Sequence, residues 1–140
     1  MLHYHTPKRT DRAMPSNKYI QFIHENDTWL RTLDYFRQEN IYLKNRLAQI
    51  AKAALNPTLL SELETYQNRF VDKDTVLSIL RFDIIRQNDL INSYNAMESG
   101  PEILFKIQSN QAALREDMQH VERAFNSLKF DFNNYLAAIL

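Results

Sequence analysis

Between Pro101 and Ile139 the chain reads PEILFKIQSNQAALREDMQHVERAFNSLKFDFNNYLAAI, and this stretch decides the fold. Leu104, Gln111, Met118, Phe125, Phe132 and Ile139 form one series at seven-residue spacing. Ile107, Leu114, Val121, Leu128 and Tyr135 form a companion series three residues further on. Every one of these positions except Gln111 is apolar, and nothing after Pro101 breaks a helix. Steps that alternate between three and four residues fall on one stripe of an α-helix, so the stretch is one long helix with one buried seam.

The same pattern runs through the rest of the chain. An earlier segment gives Tyr19, Asn26, Leu33, Asn40, Leu47 and Ala54 with Phe22, Trp29, Phe36, Leu43 and Ile50. The middle one gives Leu63, Phe70, Leu77, Ile84 and Ile91 with Tyr66, Lys73, Leu80, Gln87 and Tyr94. Punctuation falls at two places only. Asn56-Pro57 offers an N-cap and a proline at the first helical position. At Ser99-Gly100-Pro101-Glu102, Gly100 ends one helix or Ser99 and Glu102 box the start of the next. The segments so defined are 17–54, 57–97 and 101–139, each nearly 60 Å long at ~1.5 Å per residue. Long helices joined by tight turns lie antiparallel. The sequence therefore predicts an all-α fold: three long helices, up-down-up, in a coiled-coil-like bundle whose 3.5-residue period implies a left-handed supercoil.

Composition narrows the function. The 140 residues, 16.6 kDa, are the size of one domain. Seventeen basic residues balance seventeen acidic ones, so no overall field draws the chain to nucleic acid or anionic lipid. A single glycine excludes a phosphate-cradling loop and argues against the glycine turns of an all-β fold. Without cysteine there is no disulfide frame and no thiolate nucleophile. No stretch approaches the roughly 18 apolar residues that insert into a membrane.

Residues 1–16 have no apolar period and carry Lys8, Arg9 and Arg12 against Asp11. They are expected to form a disordered basic tail ahead of a bundle spanning 17–140, with Met14 as an alternative start. The tail lacks the apolar core of a signal peptide. Met1-Leu2-His3 has the spacing by which an amine, two backbone nitrogens and a histidine hold copper or nickel, with His5 nearby, but such triplets arise often by chance.

Polar residues in the seams are more informative than apolar ones. Folding back at Asn56 sets residues level when their numbers sum to about 113, which brings Asn26 to Gln87 and Asn40 to Lys73. Folding at Gly100 uses a sum near 198 and brings Gln111 to Gln87. One layer is thus expected to hold Asn26, Gln87 and Gln111, three amides that bond each other and fix the register. A polar pocket for a small ligand or metal is the competing reading, and a weaker one. Each unpaired buried amide costs on the order of several kcal/mol.

Catalytic chemistry has no foothold. A dimetal bundle needs inward Glu-x-x-His, and the chain has none. His24 and His120 fall at outward positions, and Glu116 with His120 supplies two ligands, short of a closed zinc site. Haem would need an inward histidine, and Met118 is the only candidate axial ligand pointing inward. There is no serine elbow and no nucleophile with a base beside it. Asp74 and Arg81 flank the middle seam and are expected to join Lys73 in a structural ion network. Arg31, Arg37, Lys44 and Arg46 are interleaved with Asp34 and Glu39, unlike a nucleic-acid stripe. These features point to a protein that is not an enzyme, with no cofactor and no metal.

Trp29-Leu30, Leu33-Asp34-Tyr35 and Asn45-Arg46-Leu47, with Tyr66-Gln67-Asn68-Arg69-Phe70 and Phe82-Asp83-Ile84, resemble small helical-bundle proteins of Bacteroidota-type bacteria over about residues 17–91. The resemblance implies a bacterial, cytoplasmic, all-helical protein and brings no activity, substrate or cofactor.

Apolar residues remain at outward positions: Tyr35, Ile41 and Tyr42, then Val71, Ile79, Phe82 and Ile85, then Phe105 and Phe130. Ile79, Phe82 and Ile85 form a stripe rather than scatter. The expectation is an interaction or structural bundle that self-associates as a homodimer, or docks a partner helix, through Ile79, Phe82, Ile85, Val71, Tyr35 and Tyr42. A helix kink near Asn26-Asp27, or the tail folded over the stripe, would instead bury it within the monomer.

Overall fold

Asn56 starts the middle helix in the way its side chain dictates. Its Oδ1 accepts a hydrogen bond from the Thr58 amide at 2.8 Å, and Pro57 follows where an amide proton has no helical partner. At the second turn Gly100 is the N-cap of the last helix, with φ −77° and ψ 179°, no side-chain cap and Pro101 behind it. That backbone is extended and open to any residue, so the single glycine is not there for a left-handed conformation. The alternative capping box rests on Ser99, outside the described residues.

The structure, a computed structural model, describes residues 16–97 and 100–140. It consists of α1 (Ser16–Ala53), α2 (Pro57–Met97) and α3 (Pro101–Ile139), with no strand among the described residues. The expected tail and its histidines lie outside them, except that Ser16 already belongs to α1. The helix runs unbroken through Asn26-Asp27.

Side-chain pairs set the directions. Tyr19–Asn92, Asp34–Arg81 and Lys44–Asp74 show α1 and α2 antiparallel. Gln87–Gln111 and Glu62–Tyr135 show the same of α2 and α3. Glu25–Arg115 and Glu39–Lys129 run α1 parallel to α3, which makes the bundle up-down-up. The consecutive helices pack closely, while α1 and α3 stand further apart and meet through side chains.

The heptad series are the core. Leu33, Phe36, Leu43, Leu63, Phe70, Ile84, Phe125, Leu128 and Phe132 are among its buried members, with Trp29 and Ile50 packed against them. Phe70 meets Phe132 edge-on at 5.1 Å, and Phe36 meets Phe125 at 4.9 Å. The pattern departs at the end of α3. Leu136 is buried where the series points to Tyr135 and Ile139; Tyr135 is half-buried and Ile139 exposed. Tyr135 keeps its hydroxyl at the rim, 3.0 Å from Glu62 Oε1, with its ring on Tyr66. A phenol that needs a hydrogen-bond partner holds the edge, and the aliphatic neighbour fills the seam. No helix among the described residues is long and apolar enough to cross a membrane.

Candidate functional site

The structure places Asn26, Gln87 and Gln111 in one buried layer. Gln111 Nε2 donates to Asn26 Oδ1 at 2.7 Å, and Gln87 Nε2 donates to Gln111 Oε1 at 3.0 Å. Gln87 also reaches the Ile107 carbonyl at 2.9 Å. The layer is wider than the three seam positions. Asn26 Nδ2 donates to Asn88 at 2.7 Å, Asn110 donates to Gln87 Oε1 at 3.3 Å, and Gln111 donates to Glu25 at 2.8 Å. Asn26 does not touch Gln87; Gln111 stands between them. Each of the three buried amide oxygens has a donor, so the layer's hydrogen bonding is spent internally. It also divides the apolar interior. A large cluster lies toward the α1–α2 turn, and a small one of Phe22, Ile91, Tyr94 and Ile107 lies beyond the layer.

The second inward asparagine behaves differently. Asn40 Nδ2 donates to the Phe70 carbonyl at 2.9 Å and to Asp74 Oδ1 at 2.6 Å, while its buried Oδ1 has no partner among the described residues. The expected facing residue, Lys73, is not the one it meets. Asp74 and Arg81 also pair otherwise than expected: each crosses to α1, Asp74 to Lys44 and Arg81 to Asp34. Both sit at the edge of α2 nearest α1, where Lys44 offers Asp74 a cation and Asp34 offers Arg81 an anion.

Glu25 closes the amide layer at the surface. Arg115 grips it with two hydrogen bonds, at 2.9 and 2.7 Å. Burial pushes the Glu25 carboxyl up, but the bonds from Arg115 and Gln111 and the charges of Arg115 and Lys18 outweigh it and hold the group below the usual carboxylate range. A depressed folded pKa contributes stability above the unfolded value, roughly 4.3, and loses it as pH falls through the folded one. The pair stays charged from about pH 6 to 8. Melting temperature should be flat there and drop in acid, by less in Glu25→Gln than in the wild type. Circular-dichroism melts between about pH 3 and 8 check this.

A groove of about 510 Å³ opens beside Gln87 between α2 and α3, with Asp83, Arg86, Lys106, Asn110 and Asp117 around it. His24 and His120 are exposed, and no three His, Cys, Asp or Glu side chains cluster for a metal among the described residues.

The remaining site is a surface. Ile79 and Phe82 are 57 % and 59 % exposed, with Ile85, Val71 and Val76 exposed beside them. Ile79 and Phe82 lie on the side of α2 opposite Leu77, Ile84 and Ile91, with Ile85 and Val71 on the flank toward α1 and Val76 on the flank toward α3. Tyr35 and Tyr42 do not join this stripe. Lys129 is held above the usual lysine range first by Glu39 and also by Tyr35, which places Tyr35 on the α3 side of α1. Tyr42, one heptad on, shares that line. Ile41 instead follows the line of Asp34, which reaches α2 through Arg81, and emerges level with Val71 because Asn40 bonds Phe70. Ile41 was legible as a leftover apolar residue, but the seam alone does not say which flank of α1 faces α2.

Fold and sites together define an all-α three-helix bundle with a buried amide layer and an exposed apolar face on α2. Compared with known proteins, the chain matches no family model, no curated protein and no solved structure.

Proposed function

We propose that this chain is a non-enzymatic protein-interaction module that docks a protein through the outward face of α2. The observation that carries the reading is the exposed run of Ile79, Phe82 and Ile85, extended by Val71, Val76 and Ile41. Apolar side chains in a stripe, rather than singly, are the mark of a docking surface. Fully burying such side chains is worth at most roughly 1.5–3 kcal/mol each, against roughly 4–15 kcal/mol of association cost. With Tyr35 and Tyr42 turned elsewhere, the complex is weak and reversible. The bacterial, cytoplasmic setting implied by the sequence resemblance belongs to the same proposal. A ligand-binding role for the amide layer is the lesser reading, because its groups already satisfy one another.

Sedimentation of wild type and Phe82→Glu tests the reading. Wild type should gain mass with concentration above 16.6 kDa, and Phe82→Glu should remain monomeric with an unchanged melting temperature. Equal association in both would defeat the α2 face as the contact. A badly destabilised Phe82→Glu would show that Phe82 belongs to the core.

A further inference from the structure

We propose that the partner on this face is a second copy of the chain, paired antiparallel through α2 about a two-fold axis beside Ile79. The inference rests on the docking reading and names its partner. Asp72, Ile79 and Arg86 stand seven residues apart, so each is rotated by only about 20° from the last and displaced by about 10 Å. They form one line along the exposed side of α2, and all three are solvent-facing.

An axis beside Ile79 brings residues opposite when their numbers sum to about 158, twice 79. Ile79 then meets its own copy, Asp72 meets Arg86 of the second copy, and Arg86 meets its Asp72. Phe82 comes to lie over Thr75 and Val76 of the second copy, with the Arg86 guanidinium already 5.6 Å above the Phe82 ring. A parallel pairing would set Asp72 on Asp72 and Arg86 on Arg86, so like charges disfavour it. The charges are available. Asp74 and Arg81 are committed to α1 and Arg69 to Asp131 of α3, whereas Asp72 and Arg86 make no ion pair among the described residues.

The span from Asp72 to Arg86 is only about 20 Å of helix, well short of the roughly 800 Å² per partner of a standard interface. The dimer is therefore weak, and its exposed ion pairs make it weaker in salt.

Charge reversal tests the geometry. Sedimentation equilibrium on Asp72→Arg alone and Arg86→Asp alone should show self-association about tenfold weaker than wild type, because each substitution replaces two attractions with two repulsions. An equimolar mixture of the two should recover wild-type association, since every opposed pair is again of opposite charge; so should the double variant. Both substituted residues are exposed, and melting temperatures should not move. Single variants that associate like wild type, or a mixture that fails to recover, would overturn the two-fold pairing. If Phe82→Glu still abolished association in that case, the docking reading would stand without this geometry. A wild-type chain monomeric into the millimolar range would overturn the second copy as partner, whatever else docks there.

Discussion

Gln111→Ala is expected to destabilise the fold by about 2–4 kcal/mol, lowering the melting temperature by roughly 10 °C. Gln111 is the residue through which the three helices exchange hydrogen bonds: it bonds Asn26 and Glu25 on α1 and receives Gln87 from α2. Truncation leaves Asn26 Oδ1 buried without a donor and removes one of the two acceptors of Gln87 Nε2. Unmet buried groups cost about 1–3 kcal/mol each, more than an intact hydrogen bond returns. The triple variant Asn26→Leu, Gln87→Leu, Gln111→Leu should lose less than the sum of the single leucine substitutions, because an entirely apolar layer orphans nothing. Chemical and thermal denaturation of the four proteins measures that coupling. Additive losses would show that the amides do not act as a unit.

Phe132→Ala carries the largest expected loss, about 3–5 kcal/mol. The ring is fully buried, edge-on to Phe70 and 5.2 Å from Tyr66, so its removal loses transfer energy and leaves a cavity among rings that cannot close it. Phe82→Ala, the same change on the outer face, should alter monomer stability by no more than about 0.5 kcal/mol. Denaturant midpoints for the two variants compare core and surface directly. Similar losses would mean that the heptad phase of α2 has been misassigned.

The heptad phase of α3 was legible because the signal is redundant. Over five heptads of α3, ten apolar positions and one glutamine share a stripe, and one register buries or half-buries all of them except Ile139. The amide layer followed from the same phase with two turn positions, since tight turns leave little freedom in the fold-back sums. What was not legible depends on the flanks. Glu25, Asn88 and Asn110 join the layer from positions beside the seam, and a level count says nothing of how far a side chain reaches sideways. Asn40 finding Asp74 rather than Lys73 is the same limitation, one residue along the helix. Tyr35 and Tyr42 show it on the surface: spacing put them outward, but only Lys129 and Glu39 reveal that their line faces α3. The end of α3 departs for a chemical reason, because Tyr135 exchanges the seam for a hydrogen bond with Glu62.

Site-specific photo-crosslinking reads directly whether the proposed docking face, the side of α2 turned away from its own bundle, meets a partner. A photoreactive phenylalanine at position 82, and the same residue at the exposed position 120 of α3 as control, would be activated in the full chain at high concentration and in source cells. A covalent adduct from position 82 to a second copy of the chain, and none from position 120, is the expected result. No adduct from 82, or equal adducts from both positions, would overturn the α2 face as the contact.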